Sequence, residues 1–495
     1  MKNDGSVMSL SRVTHNTMAD IAGKHLKTGF AILGCLLSCC CFAKISLPSV
    51  IDNNMVLQRQ SKVALWGTTN RHTKVSINTS WNNKTWSVSP AADGSWKILV
   101  QTPAAGGPYR IVFSDGDKLV LSNVLIGEVW ICSGQSNMEM PVAGFRNQPV
   151  ENSNRILMQA NNPEIRIFSL DRNLSVTPLK DAKSSGWQTE DPAVVKKFSA
   201  VGYQFAKMIQ ETLKVPVGII GTYWGGTMIE AWMSAESLHS FSGIKIPKDT
   251  IGVNKNSPAV LYNAMINPLI GYGIRGMIWY QGEQNWMEPA LYEKLLPAMV
   301  RDWRKSWASG DFPFYYVQIA PFTYPDKREL VPRLREAQSK SLDQIPAAGM
   351  VVTMDIGDEH TVHPRDKTTV SRRLAYWALA NVYGKKGLEF ASPVFRSMHI
   401  SGDTINVAFD HAENGLTSFG REITGFELAE ADSVFYPAHA VITGKGIRLT
   451  AARVKKPVAA RYDFRDWVQG DLFGVDGLPV TPFRSDLWEK EYYNQ

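Results

Sequence analysis

The chain is predicted to fold as an α/β protein in which a parallel sheet, covered by helices on both faces, is flanked on either side by all-β regions. Three observations lead there. From residue 123 to about 390, apolar runs alternate with stretches of helical periodicity. Before and after that stretch, short apolar runs are separated by turn residues. The 495 residues also exceed what one hydrophobic core usually organises, so two or three units are expected.

Residues 1–43 read as a signal segment. Lys24 and Lys27 precede an apolar run over residues 30–42 that is too short to cross a bilayer, and Cys41-Phe42-Ala43 offers a small-residue cleavage site. Leu37-Ser38-Cys39 loosely resembles a bacterial lipobox, which would make Cys39 a lipidated membrane anchor. Either outcome means export, to the periplasm or the outer membrane of a bacterium. Four of the five cysteines (Cys35, Cys39, Cys40, Cys41) lie here, leaving Cys132 alone. An internal disulfide and a Cys-ligated metal site are thereby excluded for the mature chain. Removing residues 1–43 takes away four bases (Lys2, Arg12, Lys24, Lys27) and two acids (Asp4, Asp20), so a net charge of +7 becomes +5. With no Lys/Arg block, nucleic-acid binding is not expected.

Residues 44–122 carry short strand-like runs such as Val63-Ala64-Leu65-Trp66-Gly67 and Tyr109-Arg110-Ile111-Val112-Phe113, punctuated by Asn82-Asn83, Asp93-Gly94 and Gly106-Gly107-Pro108. That spacing predicts a β-sandwich module, the alternative being an extension of the following sheet. In residues 123–390, strands are expected at 127–133, 217–221, 276–280, 314–319 and 350–354, and helices at 200–213, 292–307, 334–342 and 368–383. Strand and helix in alternation imply a parallel sheet whose active groups gather at the C-terminal strand ends. Residues 391–495 return to strand signals, around Ile405-Asn406-Val407-Ala408-Phe409 and Ile447-Arg448-Leu449 for example. With no low-complexity linker before them, this second β region is expected to pack on the catalytic domain.

Ser136 follows the apolar run Val129-Trp130-Ile131-Cys132, with Ser133 and Gly134 permitting a tight turn. A serine at a strand's C-terminal end can present its hydroxyl in a crevice and its N–H to an oxyanion. Taken alone, such a residue is more often a hydrogen-bonded loop serine or helix cap. A nucleophilic serine needs a base. His363 stands in the polar loop Asp358-Glu359-His360-Thr361-Val362-His363-Pro364, directly after an apolar strand. A metal site built from His360, His363 and Asp355 or Asp358 lacks a third well-spaced ligand, and none is expected. A third strand end carries Gln281-Gly282-Glu283-Gln284-Asn285, where Gln281 or Asn285 could aim an amide N–H at an oxyanion and Glu283 could orient the histidine. Trp224-Gly225-Gly226-Thr227 adds a glycine pair whose backbone N–H can approach a substrate closely. Together these loops supply nucleophile, base, acid and oxyanion donors in one crevice. The 15 Trp and 16 Tyr suit stacking on sugar rings, though large cores use them too.

These motifs, with Gly127-Glu128-Val129-Trp130, Gly134-Gln135-Ser136-Asn137-Met138, Arg335-Glu336-Ala337-Gln338 and His363-Pro364-Arg365-Asp366-Lys367, resemble the sialate O-acetylesterases of the SGNH hydrolase superfamily. Flanking similarity at Asn54-Met55-Val56-Leu57-Gln58-Arg59 and Gly477-Leu478-Pro479 extends the resemblance over almost the whole mature chain. It implies a flavodoxin-like three-layer domain with accessory β regions, no cofactor, and hydrolysis of acetyl esters on sialic acid. Ser136 would be the nucleophile and His363 the base. The oxyanion would be held by the Ser136 N–H, a glycine N–H near Gly226, and the Gln281 or Asn285 side chain. Many bacterial relatives carry Asp two residues before the histidine, where this chain has Thr361. A threonine offers no anion, so the partner of His363 stays open: Glu283 first, Asp358 second, a Ser–His dyad helped by a backbone carbonyl third. The nearest rival function is an acetyl esterase acting on plant polysaccharide such as acetylated xylan. A remoter one is a non-catalytic carbohydrate-binding protein. A sialate site should also offer a cation to the sugar carboxylate, with Arg146, Arg365 and Arg421 as candidates.

Overall fold

The computed structural model describes residues 45–325, 329–444 and 446–488, so the expected signal segment, its cleavage site and Cys39 lie outside the described residues. The strands before Ser136 among the described residues are β1 (Val56–Gln58), β2 (Lys62–Thr68), β3 (Val75–Thr79), β4 (Lys84–Val88), β5 (Ser95–Gln101), β6 (Gly106–Ser114) and β7 (Lys118–Gly134). β2 and β5 form an antiparallel pair, while β3 pairs with both β4 and β6. Their inward residues Val63, Leu65, Val75, Ile77, Val100, Ile111 and Phe113 are buried together.

β7 joins this region to the central parallel sheet. Its first part pairs antiparallel with β6, and its last part pairs in parallel with two later strands. The sequence changes character at the same place: the first residues alternate between exposed and buried, whereas Val124 to Gly134 are buried throughout. Asn123, at φ +58°, marks the change, its side chain bonded to Asn54 and Arg166. The boundary expected at 122/123 is therefore corrected. It falls inside β7, and β1, β3, β4 and β6 belong to the same hydrogen-bonded sheet as the strands beyond. A turn-rich segment giving way to an apolar one reads as a domain border, yet one strand can be amphipathic at one end and apolar at the other.

The later strands are β8 (Ile165–Leu170), β9 (Ser184–Thr189), β10 (Val217–Tyr223), β11 (Gly276–Tyr280), β12 (Phe314–Val317) and β13 (Ala348–Val351), in the order β13-β12-β11-β7-β10-β8-β9. All pairs are parallel except β8 with β9. Side chains sort by strict alternation. Val129, Ile131, Met277, Trp279, Phe314 and Tyr316 join a core with Leu295, Leu296, Met299 and Trp303 of the helix Pro289–Trp307. Trp130, Cys132, Ile278, Tyr280, Tyr315 and Val317 join another with Val201 and Phe205 of the helix Ala200–Leu213 and Leu374 and Ala375 of the helix Lys367–Asn381. The three layers expected from the sequence follow from this sorting. β8 did not show in the apolar pattern because Arg166 interrupts it. That arginine is buried, its guanidinium donating to the carbonyls of Pro163 and Asn54.

Among the described residues, the C-terminal region forms two four-stranded sheets and one short two-stranded pair around its own core, which includes Ile405, Leu449, Phe426, Tyr462 and Phe483. It also touches the sheet's C-terminal loops. Gln469 Nε2 donates to Asp355 O at 2.8 Å and the Gly470 N–H to Met354 O at 3.0 Å. These bonds brace the loop that carries His363.

Candidate active site

Chain order reverses on the two sides of β7, because β8 and β10 lie on one side and β11 to β13 on the other. A crevice opens at the carboxyl end of such a switch strand. Tyr223 of β10 and Tyr280 of β11 both sit opposite Gly134, so the three strands end level with one another. Gly134 has φ +138°, and a Cβ there would come 2.1 Å from Tyr280 O, which reserves the position for glycine. The Gln135 N–H then bonds Tyr280 O at 3.0 Å, and Ser136 opens a single helical turn, Ser136–Glu139. The first N–H groups of such a turn have no partner within it.

His363 arrives from the far side on the loop after β13. Asp358 Oδ1 accepts the N–H groups of His360 (2.9 Å) and Thr361 (3.2 Å), shaping that loop. His363 Nε2 lies 2.7 Å from Ser136 Oγ. Its Nδ1 lies 2.6 Å from Gln148 Oε1. An amide oxygen can only accept, so Nδ1 carries the proton and the Nε2 lone pair faces the serine hydroxyl. Phe145 packs its ring against the imidazole at 5.4 Å between centroids. Burial, helped by the charge of Lys367, lowers the His363 pKa to about 4. The ring is neutral at pH 7, as a base must be.

Two expectations about the third member are corrected. Glu283 does not reach His363: it is buried and its Oε1 accepts from Asn137 Nδ2. Asp358 is occupied by the N–H groups of His360 and Thr361. Gln148 takes the place, which a search for acids passes over, since the residue is neutral and stands in a loop without periodic signal. Glu283 belongs instead to a buried relay beneath the serine. Asn137 Nδ2 also donates to Val362 O at 2.9 Å, and Asn137 Oδ1 accepts from Lys367 Nζ at 2.6 Å. Asn137, next to the serine, thus ties Glu283 to the residue preceding the histidine. Burial raises the Glu283 pKa and lowers that of Lys367 to about 7.

The amide donors are corrected as well. Gln281 is fully buried and Nε2 donates to Thr227 O (3.0 Å) and Asn285 Oδ1 (2.7 Å). Asn285 is also buried, with Nδ2 donating to Glu230 Oε2 at 3.0 Å and Oδ1 accepting from the Ile229 N–H. Both side chains hold the glycine loop from beneath and leave the crevice to backbone donors. That loop touches Ser136: a Cβ on Gly225 would lie 3.1 Å from Ser136 Cβ. The Gly225 N–H donates to Glu139 Oε2 at 2.8 Å, while the Gly226 N–H bonds no described residue. Glu139 is in turn paired with Arg172, whose guanidinium lies 5.9 Å from the Trp224 ring centroid. Arg172, bonded to the last residue of the Ser136–Glu139 turn, is a cation that the sequence motifs do not single out. Among the three arginines they do, Arg421 sits over Phe473 in the C-terminal region, while Arg146 and Arg365 are exposed on the loops carrying Gln148 and His363. Asp355 forms a two-point ion pair with Arg373, and among the described residues no group of three His, Cys, Asp or Glu could hold a metal ion.

Residues 126–379 match the family model described as carbohydrate esterase, sialic acid-specific acetylesterase. The human sialate O-acetylesterase is 33% identical over 386 residues, covering 70% of this chain and 72% of the relative. The mouse sialate O-acetylesterase is 28% identical over 428 residues, covering 73% and 78%. A carbohydrate acetylesterase from Xanthomonas citri, solved as a crystal structure, superposes with a TM-score of 0.82 at 35% identity, covering 90% of this chain and all of that one. The matched segment contains Ser136, Gln148, Gly226 and His363, and the chain belongs to the carbohydrate esterase family of sialic acid-specific acetylesterases.

Proposed function

We propose that the protein removes O-acetyl groups from sialic acids through an acetyl-enzyme intermediate. Ser136 Oγ attacks the acetyl carbonyl while His363 Nε2 takes its proton. The N–H groups of Ser136 and Gly226 hold the oxyanion. His363 then protonates the departing sugar oxygen, the ester C–O bond breaks, and the acetyl group stays on Ser136. Water, deprotonated by the same nitrogen, attacks the acetyl-serine; the bond between the acetyl carbon and Ser136 Oγ breaks, His363 returns the proton to Oγ, and acetate leaves. The observation that carries this reading is the 2.7 Å contact between Ser136 Oγ and an imidazole whose far nitrogen is anchored on Gln148.

The family and its sialate-acting relatives support the substrate class. Acetate release should be faster from O-acetylated sialic acid than from acetylated xylan at equal ester concentration. The reverse preference would reject the sialate assignment while leaving the esterase chemistry standing.

Export is part of the same reading and rests on Lys24, Lys27 and the apolar run over residues 30–42. The full chain expressed in a bacterium should appear in the periplasmic or outer-membrane fraction, shortened at its N-terminus. Retention at full length in the cytoplasm would refute it.

A further inference from the structure

We propose that Lys255 is a positioning residue that strengthens the oxyanion-binding N–H of Gly226 through the peptide group they share. Its Nζ donates a hydrogen bond to Gly225 O. That carbonyl and the Gly226 N–H are the two ends of one amide, whose C–N bond is partly double by resonance. A cation bonded to the oxygen draws density from the nitrogen, so the N–H becomes a stronger donor to whatever it faces. The inference deepens the proposed mechanism and rests on the Gly226 N–H being an oxyanion donor.

The surroundings fit this role. Lys255 is half-buried and makes no ion pair among the described residues, so its charge is not spent on a carboxylate. Glu139, by contrast, is already neutralised by Arg172 and holds the preceding N–H, that of Gly225. The two peptides of the loop are therefore fixed from opposite sides, by an acid on the nucleophile's own turn and by an ammonium from the loop around residue 255. That second loop is pinned in place. Asn256 Oδ1 accepts the Met228 N–H at 2.9 Å, and Ser257 Oγ accepts the Asn254 N–H at 3.1 Å. Gly226 has φ +67°, and a Cβ there would come 2.9 Å from Lys255 Nζ, so the absent side chain leaves the ammonium its space.

Removing an oxyanion donor outright typically costs on the order of 100 to 1,000-fold in rate, and weakening one should cost less, about 10-fold. Lys255→Met should lower kcat on a neutral aryl acetate by about that factor with KM changed less than about twofold, and Lys255→Arg should restore most of the loss. Full kcat on the aryl acetate in Lys255→Met would overturn the proposal, even if KM for O-acetylated sialic acid rose, since that pattern belongs to a residue reading the substrate carboxylate. Equal loss in the Met and Arg variants would overturn it too, pointing to a purely structural role. Ser136→Ala in the same assay separates the two levels of inference. If it stays active, the underlying mechanism fails. If it is inactive while Lys255→Met is fully active, only the role of Lys255 fails.

Discussion

Ser136→Ala is expected to lower kcat/KM for acetate release by on the order of 10⁴ to 10⁶, and His363→Ala by a similar amount. Without the base, the Ser136 hydroxyl is a weak nucleophile at neutral pH, and without the hydroxyl the base has nothing to activate except water. The two losses should not add. The double variant should fall no further than the worse single one, because each removes the same step. A residual acceleration should survive in all three, since the Ser136 and Gly226 N–H groups remain. Neither variant should unfold the protein. Ser136 Oγ and the imidazole bond each other, and the turn around Ser136 is held by backbone bonds, such as that from Gln135 N to Tyr280 O. An unchanged thermal transition together with full activity in either variant would remove the nucleophile or base from the mechanism.

How far the sequence reached into this site depends on the kind of signal each residue leaves. Ser136 and His363 were legible because each follows an apolar run, and such runs become strands that end at the same level of one sheet. The sheet was legible for the same reason, except β8, where the buried Arg166 broke the pattern. The domain border misled because hydropathy records what a strand is packed against, whereas pairing in β7 continues through the change of surroundings. The sequence motif puts Glu283, Gln281 and Asn285 in one loop but does not say what each of them bonds. A motif brings polar groups near one another, but which of them faces the crevice is decided by rotamers and by what lies underneath. Here Asn137, Thr227 and Glu230 claim their hydrogen bonds. Gln148 and Lys255 come from irregular loops far along the chain from the residues they serve, and no periodicity marks them.

Gln148 carries the second large effect. Its Oε1 fixes the His363 tautomer, but as a neutral acceptor it adds no charge to favour the imidazolium formed during attack. Gln148→Ala should therefore lose about 10 to 100-fold in kcat, as Nδ1 loses its acceptor and the ring is free to adopt the unproductive tautomer. Gln148→Glu keeps the acceptor and adds an anion. The groups facing the imidazole are then that carboxylate, the Lys367 ammonium, the Ser136 hydroxyl and the Phe145 ring. In the native protein burial and Lys367 lower the His363 pKa to about 4, so kcat/KM should climb with pH through that value as the base loses its proton, all else being constant. An opposite charge favours the protonated ring, so the acid limb in Gln148→Glu should move to higher pH by on the order of 1 to 3 units. Activity above the shifted limb should be kept or raised, since the same charge now stabilises the imidazolium in the transition state. The decisive measurement is kcat/KM on a neutral aryl acetate between pH 4 and 9, where substrate ionisation cannot intrude. A Gln148→Glu profile superimposable on the native one, or an undiminished Gln148→Ala enzyme, would mean that the bond to Nδ1 does not govern the base, and that a neutral imidazole in this pocket needs no third partner.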